Sequence, residues 1–177
     1  MIKQFLKYTG EFLRNYPQIR LTSAEEISVR DSVIQSLGLN NIGQVRDRYE
    51  GQAFWDKTLK NYGGLLICQK HLKLEILKIQ EIDIKDFKPV LKVNDISYEI
   101  LVFDFGTLPL IEPKEIKNPI IFIIQKDKST FSICGFADED TVSNNLIDAV
   151  EETVNTKNLK NFIGFKKLKP INDIIKK

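Results

Sequence analysis

The sequence predicts an α+β domain built on a mostly antiparallel sheet of five to six strands, with a helical N-terminal third and a helix after the last hairpin. Three observations carry that expectation. Residues 86–137 hold the densest β-branched and aromatic runs of the chain, together with two hairpin signals. The residues before them place apolar side chains three and four apart, as amphipathic helices do. The residues after them show one more such stripe and then a short closing strand. With 177 residues, 42% hydrophobic and 28% charged, the chain is long enough to bury its own core. It reads as one domain over 1–177, divided into a helical N-terminal region over residues 1–63, a sheet-rich core over 64–137, and a C-terminal helix and tail over 138–177.

Taken in order, Ile2, Phe5, Leu6, Thr9, Phe12, Leu13 and Tyr16 form the stripe of a first helix that Pro17 stops. Ser23-Ala24-Glu25-Glu26 opens a second helix as a capping box, and Ile27, Ile34 and Leu37 face inward before Gly38. A third helix over 44–62 carries Val45, Tyr49, Ala53, Trp55 and Leu59. It ends at Gly63-Gly64, because glycine takes the left-handed stop without steric cost. Residues 65–69 then read as a short strand. Residues 71–84 fit a helix or a long bent strand and are read as the strand, since Leu72, Leu74 and Ile76 alternate before Leu77 and Ile79 shift the phase, as at a bulge.

Asn94-Asp95 tolerates the positive φ angles of a two-residue turn, so 88–93 and 96–103 form a hairpin. Along the second strand Ile96, Tyr98, Ile100 and Val102 share one face, and Ser97, Glu99, Leu101 and Phe103 the other. Two largely apolar faces mark a central strand covered on both sides. A second hairpin joins 119–125 to 130–136 across Lys126-Asp127-Lys128-Ser129. Asp138 caps a helix bearing Val142, Leu146, Val150 and Val154, and the chain closes with a strand at 161–165 and a partly helical tail at 170–175.

Composition excludes several classes of function. The longest apolar runs, such as PIIFII, fall far short of the about 20 residues of a membrane span, so no membrane partner is expected. The N-terminus lacks the continuous apolar segment of a secretory signal. Cys68 and Cys134 have no CxxC or histidine pair beside them and read as buried thiols of a reducing compartment, the cytoplasm. His71 is the single histidine, too little for a histidine-based triad or zinc site, and reads as a polar strand residue. No glycine-rich phosphate loop occurs. Asp138-Glu139-Asp140 reads as helix capping. The net charge of +2 gives no bulk attraction for polyanions. Lys157, Lys160, Lys166, Lys167, Lys169, Lys176 and Lys177 nevertheless make the tail locally basic, a patch for DNA phosphates or simply a solvated terminus.

The remaining residues of interest are Glu50 on a helix, Asp86 before a strand, and Glu99 within the next strand. A carboxylate on a covered strand needs a cation, a hydrogen-bond donor or a metal to offset its desolvation, and Lys92 across the hairpin is the cation at hand. A helical Glu, then an Asp and, 13 residues later, a Glu on a β-meander resembles the PD-(D/E)XK, restriction-endonuclease-like nuclease superfamily. The Ile133-Cys134-Gly135-Phe136-Ala137 strand end followed by a helix is similar to its small members. The resemblance implies that Asp86 and Glu99 hold Mg2+, that Glu50 completes the metal shell, and that DNA phosphodiesters are the substrate. Leu101 stands where a lysine would position the attacking water, and Lys92 or Lys88 of the neighbouring strand would substitute for it. The alternative is a non-catalytic binding or assembly module using the same sheet. A third reading is a small-molecule enzyme with its site in a sheet cleft.

Overall fold

The structure, a computed structural model, describes residues 2–47, 49–149 and 158–176. The elements in order are α1 (Ile2–Thr9), β1 (Gln18–Arg20), α2 (Ser23–Ser36), α3 (Ile42–Arg46), α4 (Tyr49–Leu72), β2 (Val90–Val93), β3 (Ile96–Asp104), β4 (Leu110–Ile111), β5 (Ile120–Gln125), β6 (Thr130–Ala137), α5 (Glu139–Ser143), β7 (Leu146–Asp148) and β8 (Lys160–Phe162). Five strands form the main sheet in the order β1-β6-β5-β3-β2. Three of its four pairings are antiparallel, and β3 with β5 is parallel, so the expected α+β fold holds with a mixed sheet. A second antiparallel sheet, β4-β8-β7, was not anticipated.

The alternation of β5 divides the interior. Ile121 and Ile123 face α4 and α2 in one core, with Leu59, Leu65, Ile67, Ile100 and Phe131. Ile120, Phe122 and Ile124 face the other way, against α1 and the small sheet, in a core with Phe5, Phe103, Phe162 and Phe165. There the Phe122 and Phe162 rings stack at 4.3 Å between centroids. The β2–β3 turn is as expected, with φ of 49° at Asn94 and 63° at Asp95.

The largest departure from expectation is α4, which does not stop at Gly63-Gly64 but runs through to Leu72. These glycines serve the helix's approach to the sheet. A Cβ on Gly63 would lie 2.7 Å from Cζ of Phe131, and one on Gly64 would lie 2.5 Å from Cγ2 of Val102. The strand expected at 65–69 is therefore the buried middle of a helix, which a short apolar run cannot distinguish from a buried strand. The strand expected at 71–84 is irregular, with one 3-10 turn at Ile79–Glu81. The helix ends at Lys73, whose φ is 55°, with Leu74 N–H bonded to the Gln69 carbonyl. Side chains then hold the segment to α4: Gln69 Nε2 donates to Glu75 O, and Tyr62 Oη donates to Leu77 O. Those bonds satisfy backbone groups that a strand would have given to a ladder.

Smaller corrections follow the same logic. The first helix stops at Thr9, and Phe12, Leu13 and Tyr16 reach the second core from turns. The α2 cap is Thr22, with both halves of the capping box made to Glu25. The helix after Asp138 ends at Ser143 and Leu146 lies in β7, because Asn144-Asn145 makes a turn in which Asn145 Nδ2 donates to Thr141 O. Val150 and Val154 lie outside the described residues. The closing strand is Lys160–Phe162, and Phe165 sits in a 3-10 turn.

Gly135, at φ 130°, marks a bulge in β6 where the register to β5 shifts and Cys134 is the extra residue. A Cβ there would collide with the Lys169 carbonyl oxygen. Phe136 and Lys169 exchange N–H···O bonds of 2.9 and 2.8 Å, which carry the tail onto β6, and the turn at Ile171–Ile174 puts Ile171 and Ile174 into the first core.

The Gly64→Ala exchange tests the close approach. It gains about 0.5–1 kcal/mol of helix propensity but drives a methyl group into Val102, and overpacking costs about 1–3 kcal/mol. Urea unfolding should show a net loss. The loss in Gly64→Ala/Val102→Ala should be smaller than the sum of the two single losses by at least about 0.5 kcal/mol. A Gly64→Ala variant more stable than the parent would refute the account.

Candidate functional site: the cleft at Glu99

Glu99 sits inside β3, opposite Val90 of β2 and Ile120 of β5, and its N–H donates to the Pro119 carbonyl at 2.9 Å. Its side chain shares a face with Leu101 and Phe103, on the side of the second core. The donor that a half-buried carboxylate requires is Asn118, whose Nδ2 lies 2.9 Å from Oε1. Asn118 stands two residues before Ile120, so the parallel β3–β5 pairing is what brings it to Glu99.

Around Glu99 is a cleft of about 200 Å³. Its walls are apolar, from Leu101 and Ile120 of the main sheet, Leu110 and Ile111 of β4, Ile116, and Leu159. Among the described residues its charged lining consists of Glu99, Glu112 and Glu115, with no lysine, arginine or histidine. Glu112 and Glu115 bracket the turn at Pro113–Glu115, where Glu115 N–H bonds the Glu112 carbonyl. Sequence reasoning missed Glu112, Glu115 and Asn118. Their only signal was two carboxylates around Pro113 and an Asn before a strand, and neither points to Glu99 without the topology.

The other expected site residues do not gather here. Glu50 is exposed in the first turn of α4. That helix packs on the opposite face of the sheet, with Gly64 against Val102 and Ile100. Fourteen residues separate Glu50 from Gly64, which at 1.5 Å per residue is about 20 Å along the axis. Trp55, one turn further along the helix, is covered by the Lys128 ammonium at 3.6 Å from its ring. Asp86 is exposed in the irregular segment before β2 and makes no hydrogen bond or ion pair among the described residues. The expected Glu99–Lys92 pair is absent: the register makes the two diagonal neighbours, Lys92 opposite Ser97 and Glu99 opposite Val90, and the carboxylate accepts from Asn118 instead. Lys92 and Lys88 are exposed, Lys92 on the outer strand of the sheet, where lysine discourages edge-to-edge pairing. Among the described residues, no group of three or more His, Cys, Asp or Glu comes together as a metal site would.

Elsewhere the capping and buried-thiol expectations hold, and the one for His71 does not. Asp138 accepts from Thr141 N–H at the start of α5 and from Lys169 Nζ at 2.8 Å, and the Lys169 bond is the main reason its carboxyl is held well below the usual range. Tail lysines are tied down: Lys160 to Asp148, Lys166 to Glu11, Lys169 to Asp138 and Lys176 to Asp173. Lys157 and Lys177 lie outside the described residues. Both cysteines are buried thiols, and burial pushes Cys68 up to about 12. His71 lies in the last turn of α4, not on a strand, and its Nε2 is buried without a partner.

Fold and cleft thus define an α+β domain with a mixed five-stranded sheet, α2, α3 and α4 on one face, and the small sheet with α1 and α5 on the other. Compared with protein families, curated proteins and solved structures, the chain finds no match.

Two measurements follow. Glu99→Gln and Lys92→Ala should each change stability by less than about 1 kcal/mol, and their effects should add to within about 0.5 kcal/mol. A larger coupling would show that the two side chains pair after all. Asp138→Ala should cost about 1 kcal/mol at neutral pH through the lost cap, and the sign of its pH dependence is fixed. A depressed folded-state pKa stabilises above the unfolded value of about 3.9 and loses that stabilisation as pH falls through the folded value. Melts of parent and variant should therefore converge as pH drops below about 4.

Proposed function

We propose that this chain is a non-catalytic binding module whose cleft at Glu99 receives a positive group on an apolar stem, such as a lysine or arginine side chain of a protein partner. The observation that carries this reading is the combination in one recess of apolar walls with Glu99, Glu112 and Glu115, with no lining cation among the described residues. A lysine matches both features, burying its methylene stem along apolar surface while its ammonium meets carboxylates. Size agrees as well. At about 200 Å³ the cleft is smaller than the roughly 300–1,000 Å³ of sites that enclose a whole small-molecule substrate, and it suits a single side chain. The nuclease reading has less support, since Glu50 and Glu99 occupy opposite faces of the sheet.

Titrating a short lysine-containing peptide into isotopically labelled protein should shift the amides of 99–101 and 110–116 saturably. Glu99→Gln/Glu112→Gln should weaken that binding by about tenfold or more, the effect of losing one charged hydrogen bond. The same peptide with norleucine for lysine should not bind. Mg2+-dependent cleavage of single- or double-stranded DNA that Glu99→Gln abolishes would replace this reading with the nuclease.

A further inference from the structure

A second surface, separate from the cleft, is built by α1 and the turn after β3. Phe5 and Thr9 anchor α1 in the second core. At 100° per residue, Ile2 and Leu6 fall on the shoulder beside that anchored stripe, Lys3 follows beyond them, and Lys7 lies on the outer face with its ammonium 5.1 Å from the Tyr8 ring. The turn after Asp104 brings Phe105 to the same shoulder: its ring lies edge-on to Phe5 at 5.1 Å, and Gly106 lies beside Ile2. Ile2, Leu6 and Phe105 remain 53%, 44% and 42% exposed, although each sits next to buried core. Residues 2–10 include two lysines and no acid. Two carboxylates of adjoining segments are already paired, Asp104 with Lys60 at 2.7 Å and Glu11 with Lys166 at 3.6 Å.

We propose that this shoulder is a peripheral docking surface for an anionic lipid bilayer, with Ile2, Leu6 and Phe105 entering the interface and Lys3 and Lys7 at the level of the headgroups. Two arguments choose this occupant. The three side chains expose on the order of 250 Å² of apolar surface, taking about 200 Å² per side chain, against about 800 Å² per partner for a stable protein interface. A bilayer needs only a few inserted apolar groups flanked by cations. The charge is also complementary, because basic residues beside an apolar helix face meet negative lipid headgroups. No helix among the described residues is long and apolar enough to cross a membrane, and the expectation of no membrane partner rested on spans, which a surface contact does not require.

Co-sedimentation of the full chain with vesicles tests the proposal. The protein should pellet with mixed phosphatidylcholine–phosphatidylserine vesicles and stay in solution with phosphatidylcholine alone. Lys3→Glu/Lys7→Glu should weaken binding by at least about 25-fold, from roughly fivefold per lysine removed. Leu6→Ser should weaken it at unchanged charge. Circular dichroism melts establish that each variant is folded, and if Leu6→Ser is not, Ile2→Ser, whose side chain is more exposed, replaces it. No pelleting with either vesicle, equal pelleting with both, or binding lost with the lysines but indifferent to the apolar exchanges would overturn the proposal. So would a concentration-dependent dimer that Leu6→Ser dissolves, which would assign the shoulder to a second copy of the chain.

Discussion

The architecture depends on how closely α4 lies on the main sheet. Gly63 and Gly64 let the backbone settle against Phe131, Ile100 and Val102, and this contact places Leu59, Leu65 and Ile67 over the alternating inward residues of β5. Burying side chains of this size stabilises by about 1.5–3 kcal/mol each, more than any surface ion pair in the molecule can contribute. The same approach fixes which side of every strand faces helix and which faces the small sheet. Glu99 looks away from α4 because Ile100, its neighbour, looks toward it.

Much of the fold was legible because strand periodicity and turn chemistry are local. Asn94-Asp95, the apolar alternation from Ile96 to Phe103 and the Ile120–Ile124 run point to strands without any knowledge of the rest of the chain. The double glycine misled because glycine is favoured both where a helix stops and where two backbones nearly touch, and only the partner surface separates the two cases. Residues 65–84 went wrong with it. Once α4 is continued, Leu65 to Cys68 are simply its buried middle, and the alternation further on is a strap bonded to the helix by Gln69 and Tyr62.

The cleft was legible only at Glu99, and for a general reason. A carboxylate on a covered strand announces a need, but the sequence does not say which residue meets it. Lys92 was the nearest by hairpin arithmetic, yet it lies only diagonal to Glu99 and the carboxylate is met by Asn118 from the next strand. The parallel pairing of β3 with β5 could not be anticipated from two hairpin signals. Through it the loop between them folds back as β4 and the Pro113 turn, setting Glu112 and Glu115 beside Glu99. Glu50 shows the converse, since a helical Glu at a plausible distance in sequence ends on the wrong side of a sheet.

The bridge between Phe136 and Lys169, made at the bulge that Gly135 permits, bears on how the chain folds as it is made. Ile171 and Ile174 complete the layer beneath α4, yet they follow every strand and every other core residue in order of synthesis. While they are still within the ribosome, the α-helical side of the sheet is unfinished and its apolar surface around Phe136 and Ile133 stands open. The layer beneath α4 therefore closes only once residues 171–174 have joined it, however the rest of the sheet has been assembled.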